Sequence, residues 1–322
     1  MKGYIWVLLF VVLLGCNVSS SESKFEFDWQ QVTQFNRNQI TAIHVSSDDD
    51  LYVATGNKLF RSIDRNSVYV NILTPDSADI IKVKTFNDRI LIIGNVFQRD
   101  IGNFGDDISH IYQSTDDGLT WEDLIGGFIM QDVTFYNDRI HIGKRNGVTT
   151  LDLTTGSTFF NEIVDSKLND EMEEIEVSPD GLLAVSCHEG VFISEDNGVS
   201  WNEIGTQIRK DDDWIEAIEF NGNEIFALES SRVYRIDLIS GDVETHKGFA
   251  GYEQLELTST GELIKLGGSK LGIANQDNLS FANIYPSNVI DEQLFLDFVD
   301  SFSDGTLAIT ADEKLFIGER IN

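Results

Sequence analysis

Cysteine is nearly absent from this chain of 322 residues, which carries only Cys16 and Cys187. Two cysteines so far apart exclude a small fold held together by a disulfide framework. Proline is also scarce, at three residues, while 41% of the chain is hydrophobic; this excludes a Pro-rich linker and a disordered acidic tail. The largest deficit is positive charge. With 23 Lys and Arg against 54 Asp and Glu, the formal net charge is −31, a balance that excludes nucleic acid and anionic membrane surfaces as direct partners. Only five histidines occur, His44, His110, His141, His188 and His246. No pair of them stands at metal-ligand spacing, and neither a Ser/His/Asp set nor a Gly-rich phosphate loop accompanies them. The one long apolar run, MKGYIWVLLFVVLL at residues 1–14, is too short to span a bilayer comfortably and reads as the core of a secretory signal.

That run closes in Leu13-Leu14-Gly15-Cys16, which resembles the lipobox of bacterial lipoproteins. The resemblance implies cleavage before Cys16, acylation of its sulfur and new amino group, and stable anchoring by several acyl chains. Residues 1–15 are then signal, residues 16–24 a polar tether, and residues 25–322 the folded part. Asn17 stands where an Asp would imply inner-membrane retention, so the resemblance implies the outer membrane of a bacterial envelope, with the leaflet left open.

What fills the remainder is a repeat. An alternating strand, a turn and another strand recur as LYVATGNKLF (51–60), IHIGKRNGVT (140–149), LAVSCHEGVF (183–192), IFALESSRVY (225–234), LIKLGGSKLG (263–272) and LAITADEKLF (307–316), with a stretched copy beginning ILIIG at Ile90. In the six compact copies the first apolar residue and its presumed partner across the hairpin lie eight apart, as Leu51 and Leu59 do. The anchors recur every 38 to 50 residues. A period of this length with four short strands per unit predicts an all-β, seven-bladed β-propeller. The seventh unit lacks a fourth strand, whereas FDWQQV (27–32) matches the fourth strands TWEDLI (120–125) and SWNEIG (200–205). The N-terminal strand is therefore predicted to complete the last blade and leave no open sheet edge.

Two turns share the spacing S-x-D-x-G-x-[ST]-W: Ser114, Asp116, Gly118 and Trp121, then Ser194, Asp196, Gly198 and Trp201. They resemble the Asp-box, or BNR repeat, of sialidase-like and sortilin-like propellers. The chemistry suits a tight hairpin, because the Asp bonds turn amides, the Gly takes a positive φ and the Trp packs between blades. The resemblance implies that these turns are structural and lie opposite the usual ligand face.

The sialidase resemblance also implies an arginine cluster on innermost strands and an Arg-Ile-Pro string, and this sequence has neither. No catalytic residue is assigned. His44 is read as a structural histidine and Cys187 as a buried thiol. Loops on one face concentrate acid, including Asp211, Asp212 and Asp213, while Glu176, Glu219, Glu256 and Asp300 fall beside the apolar anchors of four successive inner strands. These four are expected to approach a common axis without a counter-charge, and so to attract a cation, with calcium as the ion to test, or a basic protein. The long loop at residues 95–110, with Phe97 and Phe104, is a further candidate contact. The reading is a lipid-anchored, non-catalytic scaffold that binds protein before glycan; the alternative is a carbohydrate-active enzyme or glycan-binding protein using a carboxylate pair.

Overall fold

The structure is a computed structural model. It describes residues 25–35, 39–65, 69–72, 74–75, 79–96, 108–163, 172–188, 190–208, 214–229, 231–247, 254–268, 270–277, 279–284 and 295–321. Seven four-stranded antiparallel sheets form the blades of a propeller. Their innermost strands are Ala42–Val45, Asp79–Phe86, Asp132–Tyr136, Met172–Val177, Ile215–Asn221, Gln254–Leu257 and Leu296–Ser301, in blades one to seven.

Burial explains why the second strands read as mainly apolar runs. Leu183–Cys187 and Leu307–Ala311 are buried at every position, because a neighbouring blade covers each face of the sheet. At the periphery the demand vanishes, and Thr158–Glu162 is almost wholly exposed. Core clusters accordingly sit between blades. One joins Tyr52, Ala54 and Leu59 of blade one to Ile80, Ile90 and Ile92 of blade two.

The ring closes as the repeat predicts. Phe27–Val32 pairs antiparallel with Lys314–Arg320, with Trp29 opposite Gly318 and Val32 opposite Leu315. In the third strands, Gly318 faces Leu307 as Ser114 faces Ile90 and Ser194 faces Leu183. Trp29 therefore occupies the register position of Trp121 and Trp201. Phe35, fully buried just after the closing strand, packs on Tyr69 and Phe60 with ring centroids 4.7 and 5.3 Å away, which seals blade seven to blade one.

The eight-residue offset is not a cross-hairpin pairing. Leu51 faces Ser62, and Leu59 faces Ala54. A two-residue turn pairs residues whose separation is odd, so positions eight apart point to opposite faces of the blade. Leu51 packs toward blade seven and Leu59 toward blade two.

Candidate functional site

The two faces of the ring differ. Turns between first and second strands, and between third and fourth, crowd one face; connections between blades, and turns between second and third strands, crowd the other. On the turn face, Ser114 Oγ donates to Asp116 Oδ1 and accepts from Gly118 N–H, both at 2.8 Å, while Thr120 N–H and Oγ1 donate to Asp116 at 2.8 and 2.6 Å. Ser194, Asp196, Gly198 and Ser200 repeat this set. These bonds, those to Thr120 foremost, hold the Asp116 carboxyl below the usual carboxylate range. Gly118 and Gly198 adopt φ of 81° and 83°. Trp121 packs between blades one and two, and Trp201 between blades three and four. The motif's residues are spent on the hairpin and its seam, as their chemistry implies.

The channel is lined by the inner strands. His44, Lys84, Thr134, Glu176, Glu219, Glu256 and Asp300 occupy the same register position in blades one to seven, each opposite the residue that follows the first apolar anchor of the second strand. The structure thus brings the four predicted carboxylates to one level of the channel. It also corrects the expectation that they lack a counter-charge, because Lys84 stands among them. Burial alone would push the Lys84 ammonium down, but Glu176, Asp132, Asp300 and Glu256 hold its pKa above the ordinary lysine value. The carboxylates respond in the opposite sense. Burial, then Glu256, Glu176 and Glu174, pushes Glu219 well above its ordinary value, and burial followed by Asp300 does the same to Glu256. Glu174, two residues before Glu176, is pushed up to about 8 by burial, Asp132 and Glu176.

Several of these acids have a structural task. Inner strands of neighbouring blades do not form a common sheet, so the backbone N–H groups facing a neighbour need acceptors. Asp132 Oδ2 accepts from Ile175 N–H at 3.1 Å, Glu174 Oε2 from Ile218 N–H at 2.7 Å and Asp300 Oδ2 from Val45 N–H at 2.8 Å. Lys82 pairs with Asp132. His44 Nε2 accepts from Thr85 N–H at 3.1 Å, which places the ring proton on Nδ1, 3.4 Å from Asp300. Among the described residues, no group of three His, Cys, Asp or Glu side chains is placed to hold a metal ion. Cys187 is a buried thiol that donates to the Gly190 carbonyl at 3.6 Å.

A cleft of about 670 Å³ opens at the channel mouth on the loop-rich face, between Gln39, Ile40 and Thr41 of blade one, Ile81 of blade two, and Asp297, Phe298, Asp312 and Glu313 of blade seven. Sequence reasoning missed it, and missed Lys82 and Lys84 too. The lysines had a usable signal: Lys84 precedes Thr85 as Glu176 precedes Val177. Cys16, Phe97, Phe104, Asp211, Asp212 and Asp213 lie outside the described residues.

No protein-family model and no curated protein matches the sequence. The fold is similar to solved β-propellers. A streptogramin B lyase aligns at TM-score 0.70 with 12% identity, covering 91% of this chain and 98% of the other. The virginiamycin B lyase of Staphylococcus aureus gives 0.67, 13%, 92% and 99%. YCF48 from Cyanidioschyzon merolae gives 0.67, 12%, 90% and 98%. At such identities the likeness establishes the seven-bladed propeller fold of this chain, and the function must be argued from its own surface.

Proposed function

We propose that this chain is a lipid-anchored, extracytoplasmic propeller of Asp-box type that binds a protein partner without catalysis, held at the outer membrane of a bacterial envelope through Cys16. The observation that carries the reading is the loop-rich face. Ile81, Ile129, Trp214 and Phe295 are 40, 52, 40 and 66% exposed there, each within three residues of the start of an inner strand, so they ring an acidic channel mouth. Large exposed apolar side chains around a polar centre suit a protein contact, and Trp is prominent among residues that anchor such contacts. Trp214 is braced edge-on by His188, with ring centroids 5.4 Å apart. A propeller of the same fold is solved as YCF48 bound to a D1 peptide, which supports peptide recognition as a use this architecture permits.

The anchor agrees with that direction. Phe27 enters the last blade opposite Arg320, on the turn face, so an anchor at Cys16 with eight residues of tether before Phe25 would be attached on the side opposite the loop-rich face. Eight residues reach at most about 28 Å, and the binding face is then directed away from the bilayer. The test is capture of partners from solubilised membranes by the full chain and by a Trp214→Ala/Ile129→Ser variant. A specific partner lost with the variant is expected. An identical set captured by both, from a variant that melts as the parent does, argues against this face.

A further inference from the structure

The cleft at the channel mouth says what such a partner must present. We propose that it seats a basic segment of the partner protein, in which a lysine or arginine adjoins an apolar residue. This rests on the protein-binding reading and goes one step beyond it.

Ile40, Ile81 and Phe298 give the cleft an apolar wall, and Asp297, Asp312 and Glu313 give it an acidic edge. Two of these residues are where they are because of β-bulges. The inner strands of blades two and seven shift register at the same place, between Ile80 and Lys82 and between Leu296 and Phe298, and Ile81 and Asp297 are the extra residues. A bulge removes a residue from the strand's alternation and re-aims its side chain. Here it brings one apolar and one acidic group to the same cleft.

Among the described residues, the acids meet no compensating cation. Burial, then Asp312 and Glu313, pushes the Asp297 carboxyl up, with no cation acting the other way. Among the described residues, no lysine or arginine pairs with any of the three. Asp312 and Glu313 also form a two-residue turn at φ of 44° and 65°, a conformation that Asn-Gly adopts with less strain. Asp312 fixes the exposed Phe295 beside the cleft, accepting from its N–H through Oδ1 and donating its own N–H to the Phe295 carbonyl, both at 3.1 Å. An apolar wall beside an acidic edge complements a side chain with an aliphatic stem and a positive head. A volume of about 670 Å³ lies in the range of ligand pockets and accommodates neighbouring residues of a segment as well.

The experiment pans phage-displayed random dodecapeptides against the full chain. Enriched peptides should carry Lys or Arg next to an apolar residue. They should bind an Asp297→Asn/Asp312→Asn/Glu313→Gln variant about tenfold more weakly, the effect of three rim charges at a few tenths to one kcal/mol each, and with a flatter salt dependence. Glu313→Gln alone should give a smaller loss in the same direction, which guards against misfolding of the triple variant. Enriched peptides without a cation, or equal binding to the triple variant, overturn the assignment. Membrane capture separates the two levels. If the native partner survives the triple variant but is lost with Trp214→Ala/Ile129→Ser, the cleft is refuted and protein binding stands; if the parent captures nothing and panning enriches nothing, both fall.

Discussion

Closing the ring with the N-terminal strand depends on Trp29 lying flat against a residue without a side chain. Trp29 is 7% exposed and packs among Leu266, Leu271 and Ile273 of blade six and Leu307, Ile309 and Phe316 of blade seven. Its ring also covers Gly318, where an added Cβ meets Trp29 carbons at 2.6 Å. Trp29→Ala removes the largest side chain of this seam and should cost about 3–5 kcal/mol. Gly318→Ala overpacks the same space and should cost about 1–3 kcal/mol. Combined, the two effects cancel in part, because the new methyl enters the volume the indole has left and Ala is easier than Gly to order in a strand. The double variant should therefore be more stable than the sum of the singles by about 1–3 kcal/mol, the size of a direct coupling. Urea unfolding followed by far-ultraviolet circular dichroism measures all four corners of the cycle. Additive losses, or a Trp29→Ala penalty under about 1 kcal/mol, would show that the N-terminal strand does not close the ring through this contact.

The channel carboxylates make stability depend on pH. Glu219 and Glu256 hold protons more tightly in the folded state than their ordinary value of 4.5 allows; their contribution is complete below that value and is lost as pH rises through the folded pKa. Glu219→Gln should thus raise the melting temperature near pH 8, with a smaller gain near pH 5, and parallel curves would contradict this. Lys84→Met removes the cation at that level and should steepen the decline toward pH 8, at a cost of about 1–3 kcal/mol, less than for a dry buried pair because Lys84 is only partly buried. The Asp196 carboxyl is held below 3.8, chiefly by Ser200, so its stabilisation is present above that value and lost as pH falls through the folded pKa. Asp196→Ala should lower the urea midpoint at pH 7, with a loss that shrinks as pH falls through the folded pKa of the parent's carboxyl. Replacing Asp312 with Asn and Glu313 with Gly should stabilise the turn by about 1 kcal/mol while weakening capture of the partner; a gain in both would contradict a binding role for the cleft.

The parts legible in the sequence are those whose physics is local or repeated. Leu183–Cys187 and its equivalents announce themselves because two-sided burial demands mainly apolar strands, and Ser114, Asp116 and Gly118 because one turn's bonds are made within five residues. Trp29 was recoverable by matching it to Trp121 and Trp201, since all three answer the same seam. What stayed hidden depends on distance in the chain. Lys84 meets Glu256 and Asp300 across the channel, far beyond any periodic signal. Ile81 and Asp297 sit in strings that look like ordinary strand, because one extra residue in a bulge leaves no compositional mark. The cleft joins residues 39–41 to 297 and 312, a neighbourhood created only when the ring closes.

The same register position in seven strands separates residues the architecture requires from one it does not. Asp300 accepts the Val45 N–H and stands beside His44, so it belongs to the seam between blades seven and one. Glu256 accepts from Ser301 Oγ at 3.2 Å, a lighter bond across the next seam. Glu176 is held against the charge of Lys84. Glu219, among the described residues, accepts no hydrogen bond and pairs with no cation directly; burial and three neighbouring carboxylates oppose its ionisation, and the more distant Lys84 offsets them only in part. A carboxyl whose removal relieves repulsion and breaks no bond is maintained against stability, and burdens of that kind gather at sites of function. Glu219 is for that reason the cleanest residue with which to ask whether the channel takes part in binding. Its glutamine variant keeps the seams intact, whereas altering Asp300 or Glu174 would disturb the ring and the ligand together.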